Sequence, residues 1–501
     1  MAQRIDKPNF EVPLVASYNE RGIQGFESSI TDSNDQKKVN LYYEVAQNSL
    51  SGDRTVTLSL RPGVTVFGGG YGVSSQVATG INQRPESTKD TFLDSIVFSE
   101  LGTSSRAATS TATTTFAIGS GFYPRYNEMT YFNNQKTLVV QVENVDTVHQ
   151  QSTFYCTTYP FFDEIVSTFS TFTHTGRMEF MDGYGFILDR ATNRIQNSNL
   201  NTISTWPSGN FITKQITQDT GLGLGKFKDK LLAFGHDTVE VFYNGGLTPA
   251  PLIPIKSMSE NIGISPQVNR DSGQPLSYYT IVGGRMYFPG TQAKGEFASL
   301  MSFDGSRFEK VSPPYIDKII QDTPNLGSIG SFITNGQAFV TIQLNLPSAS
   351  SQRFLVYFPQ WNDWFEWNSV AFAPIFANGL VLGTGGFSDR LMVFRTDNET
   401  FLDQTSSYSW LTQFKVPTNG SYQQMPMYGV VADTSRSTNN MTVEFNDADG
   451  VAASWVTTAT IDLSQERKLA FRGGAFRERL VRLSGTTSTE VRLHKFVAVI
   501  R

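Results

Sequence analysis

Between Gly185 and Asp403 one short text recurs. An apolar strand runs into a turn of Asp, Asn or Gly, and a second strand with aromatic or bulky residues follows. The instances are GFILDRATNRI from Gly185, VEVFYNGG from Val239, SLMSFDGSRFEKV from Ser299, FLVYFPQWNDWFEW from Phe354 and LMVFRTDNETFLD from Leu391. Companion strands lie between them: DKLLAFGHD from Asp229, GGRMYFPG from Gly283, NGQAFVTIQL from Asn335 and NGLVLGTGG from Asn378. With Leu188, Phe242, Phe303, Phe358 and Phe394 taken as equivalent, the unit returns every 36 to 61 residues. A propeller blade takes about 40–50 residues, so blades at this spacing carry loops. Small antiparallel sheets repeated in this way bury their faces only against their neighbours, which is what a β-propeller requires. A pair of stacked β-sandwiches would produce the same strand-turn-strand text.

Composition agrees with strand. The 38 Phe and 19 Tyr suit pleated, half-buried surfaces, and the 42 Gly and 21 Pro supply turns. So aromatic a chain is not globally disordered; disorder is expected only in Gly102–Thr115 and Pro347–Gln352. The lone Cys156 excludes an intramolecular disulfide and the zinc cages that need two or more thiolates. The four histidines (His149, His174, His236, His494) never form an i, i+4 pair. No apolar run approaches the roughly 18–20 residues of a membrane span. The opening MAQRIDKPNFEVPLVASYNE has no core of signal-peptide length. A soluble, non-secretory chain is expected.

The ends read differently from the centre. The first thirty residues have no sustained period and are expected to lie along another surface. VNLYYEV and TVTLSL follow, the second alternating as a strand with one wet face. Arg61-Pro62-Gly63 ends it, and Gly68-Gly69-Gly70 marks a boundary. Beyond Thr405, Gln413–Val431 reads as a partner-facing strand pair, and the text from Thr442 as a hairpin turning at Asp447–Gly450. The expected fold is all-β: a propeller-like body at 71–404 with a loop-rich insertion around 100–125. Flanking segments 1–70 and 405–501 form a platform or sandwich domain.

The net charge of −5 argues against a globally basic nucleic-acid binder, yet it hides a split. Residues 466–501 hold nine basic side chains against three acidic ones, a net +6, which leaves −11 for residues 1–465. The tail arginines and lysines, Arg467, Lys468, Arg472, Arg477, Arg479, Arg482 and Arg492, are the candidate interface. They alternate with apolar residues, so three readings stand: a solvated strand face, a protein interface, or direct DNA contact.

Catalytic motifs fail residue by residue. Gly225-Lys226 is followed by Phe227, not Ser or Thr, so a P-loop is excluded. GLGLG at 221–225 lacks GxGxxG spacing and reads as a loop before the strand at Lys230. Gly119-Ser120-Gly121 has the wrong spacing for a nucleophile elbow. Propellers host sugar hydrolases, for which two carboxylates suffice. The sialidase-type Asp-box is present only in degraded form around Asp304-Gly305, a pair that reads as a hairpin turn. Trp361, Trp364, Phe365 and Trp367 could form a sugar platform, but alternation favours packing between blades. No catalytic, cofactor or metal residue is assigned.

Three segments carry a resemblance: VNLYYEV with SLRPGV (Val39–Val64), GLGLGKFKDKLLAFGHDTVEVFYNGG with NIGISP (Gly221–Pro266), and the basic ending from Glu466. Together they resemble the tail-hub or nozzle proteins of short-tailed bacteriophages, also called packaged-DNA stabilisation proteins. The resemblance implies a non-enzymatic virion tail protein, assembled in the host cytoplasm as a homohexameric ring below the portal and its adaptor. Its propeller-like body would surround the channel for double-stranded DNA, its closed tip would retain the genome, and needle and fibre or spike proteins would attach nearby. An acidic lining would let phosphate slide, whereas a basic one would bind it. The basic strands are then expected to face the adaptor. The alternative is a propeller glycan hydrolase or glycan-binding protein acting at a cell envelope.

Overall fold

The computed structural model describes residues 10–14, 37–47 and 54–66, the backbone of strands between 78 and 167, then 174–189 and 192–264 save 203–204 and 217–218. It further describes 278–292, 298–345 save 324 and 335–336, 352–369, strands within 372–394, 402–403, 407–416, 420–433, 440–447, 454–464, and 469–501 save 488.

The chain is all-β apart from the helix Pro314–Asp322 and one short 3-10 turn among the described residues. Seven antiparallel units follow one another, spanning 78–117, 122–167, 174–213, 221–254, 262–310, 325–369 and 372–394. Within most units consecutive strands pair as a meander; in the fifth, Arg285–Gln292 takes both Ile262–Ile264 and Thr280–Val282 as antiparallel partners. Gly221–Phe227 pairs with Lys230–Gly235, which pairs with Val239–Asn244, which pairs with Leu252–Pro254. First strands of neighbouring units lie against each other, as His174–Met181 does against Gly221–Phe227 and Asn325–Thr334 against Phe372–Ala377, where Ser331 bridges Ala377 in parallel; on its other side Asn325–Thr334 touches Thr280–Val282. Phe372–Ala377 in turn reaches Ala78–Asn82, so the seventh unit returns to the first. This is a propeller-like body.

The closure strand comes from the other end of the chain. Among the described residues the seventh unit has three strands of its own, and Val64–Val66 adds a fourth along Leu391–Phe394, with Met392 opposite Val66. A strand from the segment expected to belong to the platform thus seals the body, because an open last sheet would leave a ladder edge exposed.

The cores lie between units. Phe186, Leu188 and Ile195 pack with Leu224, Leu231 and Phe242, joining the third unit to the fourth. Leu222, Phe234 and Val241 pack with Met286, Phe288 and Phe303, joining the fourth to the fifth. The helix Pro314–Asp322 starts with Pro at a position where a missing N–H costs nothing. It inserts Ile316 and Ile320 between the fifth and sixth units.

The terminal segments form the platform. One sheet runs Leu41–Gln47, Arg54–Leu60, Arg492–Val499, Met427–Asp433, Leu469–Phe471, with Phe10–Pro13 also on Arg492–Val499. Facing it are Val456–Asp462, Asn440–Asn446, Arg479–Thr487, Tyr408–Val416 and Lys37–Val39, and Val39 bridges on to Glu366 of the sixth unit. The sandwich core is therefore continuous with that unit. Phe339 stacks on Phe332 and on Phe358, centroids 4.9 Å apart in both pairs, while Tyr428 meets Phe445 at 4.9 Å.

Several sequence expectations need correction. Gly102–Thr115 is not free of structure: Ser104–Ala108 pairs with Thr113–Ala117, and together with Ala78–Asn82 and Ile96–Glu100 they make the first unit, where an insertion was expected. Gln352 opens a strand, and 346–351 lie outside the described residues. Gln413 and Val431 sit on interior strands of two opposed sheets, so they are not a partner-facing pair. GLGLG is a buried strand, not a loop. Its glycines are needed because a Cβ on Gly223 would run into the Tyr278 hydroxyl, which donates to the Leu224 carbonyl. Phe242, Phe358 and Phe394 do share the third strand of their units, whereas Phe303 lies on a fourth strand and Leu188 on a second.

Candidate functional site

The basic tail folds into the two platform sheets, and five of its described basic side chains divide into two groups. Arg479, Arg482 and Arg492 find carboxylates within the chain. Arg479 is 3% exposed: its Nε and Nη2 donate to Asp447 at 2.7 Å each, and its guanidinium lies 4.2 Å from the ring centres of both Phe445 and Phe476. Arg482 pairs with Glu444 at 3.4 Å and stacks on Trp455. Arg492 donates to both oxygens of Glu44 at 2.9 Å and pairs with Glu490 at 2.6 Å. A solvated strand face, one of the three readings, does not hold at Arg479. Arg479 faces inward because two aromatic rings and a carboxylate compensate its desolvation.

Arg472 and Arg477 form the other group. Both are exposed, and among the described residues no carboxylate pairs with either. Arg477 Nε donates to the Gly420 carbonyl at 2.7 Å. Glu478 beside it turns to Lys415, 3.6 Å away. Arg467 and Lys468 lie outside the described residues. Much of the +6 is thus answered internally by Asp447, Glu444 and Glu44, which belong to the acidic −11.

A second polar node joins the platform to the body. Arg61 is fully buried: Nη1 and Nη2 donate to the two Asp403 oxygens at 2.8 and 2.7 Å, and Nε donates to Asn40 at 2.9 Å. Nη2 also donates to the Asn368 carbonyl at 3.0 Å, and the Tyr408 ring lies 3.9 Å from the guanidinium. Burial works against the Arg61 charge, but Asp403 outweighs it and raises the pKa above its ordinary value. Burial likewise pushes the Tyr408 phenol up, against the nearby Arg61. Asn40 takes a positive φ of 55°, a conformation Asn tolerates, which turns the chain between Lys37–Val39 and Leu41–Gln47.

A third node pins the third unit to the fourth. Lys214, 3% exposed, donates to Asp219 and, at 2.7 Å, to Thr238. Glu240 accepts the backbone N–H groups of Gln215 and Ile216 at 3.1 and 2.8 Å. Burial pushes the Asp219 carboxyl up. Hydrogen bonds from Lys214, the Asp237 N–H and Thr238 prevail and hold it below the ordinary range.

The sugar-site candidates are occupied by the fold itself. Asp304 Oδ1 accepts from Ser306 N and Oγ at 2.7 Å each and from Arg307 N at 3.0 Å, and Gly305 has φ of 103°. These donors, the Ser306 hydroxyl first, pull the Asp304 pKa down to about 2. Asp304-Gly305 is a hairpin turn, as read. Trp364 and Trp367 are buried on opposite faces, and Trp367 Nε1 donates to the Leu41 carbonyl at 2.8 Å. Among the described residues no group of three His, Cys, Asp or Glu could hold a metal ion.

No family model matches the chain, and no curated protein does. Solved structures similar to it include the WD40 domain of Toxoplasma gondii coronin, at 9% identity and TM-score 0.34, covering 68% of this chain and 88% of that one. A glycoside hydrolase aligns at 9% identity and TM-score 0.25, over 74% of this chain and 97% of that one. A puromycin hydrolase aligns at 7% identity and TM-score 0.35, over 79% and 61%. At such scores the fold is read from its own strand ladders.

Proposed function

We propose that this chain is a structural tail protein of a short-tailed bacteriophage. As a ring-forming hub or nozzle it continues the DNA channel below the portal and adaptor, helps retain the packaged genome, and connects to needle and fibre or spike proteins. One observation carries the reading. Two of the segments that resemble that family are neighbours in one platform sheet: Leu58 lies opposite Leu493 and Ser59 opposite Arg492. Arg492 and Glu44, which lock them together, are 448 positions apart in the chain. The other segment supplies three successive strands of one body unit and leads into the next. A resemblance scattered over the sequence therefore falls on coherent structural pieces, as expected where pairing partners are retained together.

The two ends also tie the platform to the sealed body through Arg61–Asp403, which suits a subunit that must transmit load along a tail without coming apart. Electron microscopy of the purified chain and of intact particles tests the reading. A six-fold ring around an axial channel is expected. Discrete monomers that hydrolyse or bind envelope glycans would replace it with the glycan reading.

A further inference from the structure

Among the described residues neither Arg472 nor Arg477 has an intramolecular carboxylate, and Arg477 reaches the turn that carries the most exposed large hydrophobic side chain described. Tyr422 is 81% exposed. It lies in the turn 420–422, which Arg477 grips through the Gly420 carbonyl, and the following Gln423–Gln424 pairs with Ala475–Phe476. On the other side of this ladder the Arg472 N–H donates to the Pro426 carbonyl, and Arg472 itself takes a positive φ of 70°. The C-terminal Arg501 exchanges backbone hydrogen bonds with Gln424. A backbone tied at so many points holds the three exposed side chains in a fixed array.

We infer that Tyr422, Arg472 and Arg477 form a docking surface for an acidic face of a second copy of this chain. The chemistry favours that occupant. With Nε committed to Gly420, Arg477 has both Nη groups left to present, a fork matched to a carboxylate. Tyr and Arg are the residue types that anchor protein interfaces. Residues 1–465 carry a net −11, so a second copy brings the complementary charge with it. Strand alternation placed both arginines on the tail, but only the pairing of their neighbours singled them out.

The identity of the partner rests on the ring-forming reading; the surface itself does not. Sedimentation velocity of the full chain at about 50 mM and about 500 mM salt tests it, since exposed charge pairs weaken as the Debye length shortens. Wild type is expected to self-associate more strongly at low salt. R472E/R477E should weaken association by about tenfold or more and flatten its salt dependence. Y422A should weaken it while leaving the salt dependence in place. An R472A/R477A variant with an unchanged melting temperature separates docking from folding. If the double variant associates as wild type does, the surface is wrong and the ring reading stands. Association through this patch into two-fold dimers keeps the surface and removes the ring. A chain monomeric at both salts overturns both. Loss of binding to a labelled DNA duplex or to adaptor-bearing heads, with self-association intact, also overturns the inference.

Discussion

Arg61 and Asp403, 342 positions apart, face each other as a two-toothed ion pair with no solvent contact at the guanidinium. The pair sits where the platform hairpin, the sixth unit and the first C-terminal strand converge, through Asn40, the Asn368 carbonyl and Tyr408.

Removing one partner strands a buried charge. Asp403→Ala is expected to destabilise the chain by about 3–5 kcal/mol, whereas Arg61→Met with Asp403→Leu should recover much of that loss. Urea denaturation of wild type and the two variants checks the order. Equal stability of the single and double variants would show that the pair carries no such desolvation cost.

The two groups of tail arginines should separate in stability. Arg479→Ala removes a buried guanidinium packed between Phe445 and Phe476 and opens a gap there, costing about 2–3 kcal/mol, while the exposed Asp447 is re-solvated. Arg477→Ala, at the surface, should stay within about 0.5–1 kcal/mol of wild type. Thermal melts decide this. Any assembly assay that reverses Arg479 along with Arg477 would confuse unfolding with lost docking.

Gly235 has no room for a side chain, since a Cβ there would strike the Asp219 carboxylate. Gly235→Ala is expected to push Asp219 off Lys214 and Thr238 and to cost about 2–4 kcal/mol, as burial of a broken charge network does. A melting temperature unchanged from wild type would refute the rigidity assigned to this joint.

Acid should act through the same carboxylate. The pKa of Asp219 is lower folded than unfolded, so the unfolded chain binds more protons as pH falls. Its stabilisation is complete above the unfolded carboxylate value of about 3.9 and drains away below it. Asp304, with a folded pKa of about 2, behaves alike down to that pH but contributes less because it lies at the surface. Asp219→Asn should therefore flatten the fall of stability between about pH 5 and pH 2 more than Asp304→Asn does. Urea midpoints across that range provide the measurement.

Deleting residues 1–66 removes the fourth strand of the seventh unit as well as Arg61 and the platform hairpin. The truncated chain should lose cooperative unfolding in calorimetry and expose the Leu391–Phe394 edge to aggregation. Retention of a single sharp transition would mean that the body closes without its borrowed strand.

The recurring hairpins were legible because their signals are local. Apolar alternation, the Asp304-Gly305 turn and the aromatic third strands act over a few residues, so the sequence by itself determined an all-β chain built from repeated small sheets. It also determined that the tail is basic. What it could not express is which distant strand completes which sheet. Val64–Val66 lacks any residue code that assigns it to Leu391–Phe394, because ladder hydrogen bonds are made by backbone common to every residue. The glycines of 221–225 read as a loop for a related reason: their need is created by Tyr278, a neighbour only in space. Charge followed the same rule. Composition set the +6 and the −11, but only the tertiary structure decided that Arg479, Arg482 and Arg492 spend their charge inside the fold. Burial makes an unpaired guanidinium too costly at Arg479, and the carboxylates Asp447, Glu444 and Glu44 come from strands the chain brings together only when folded.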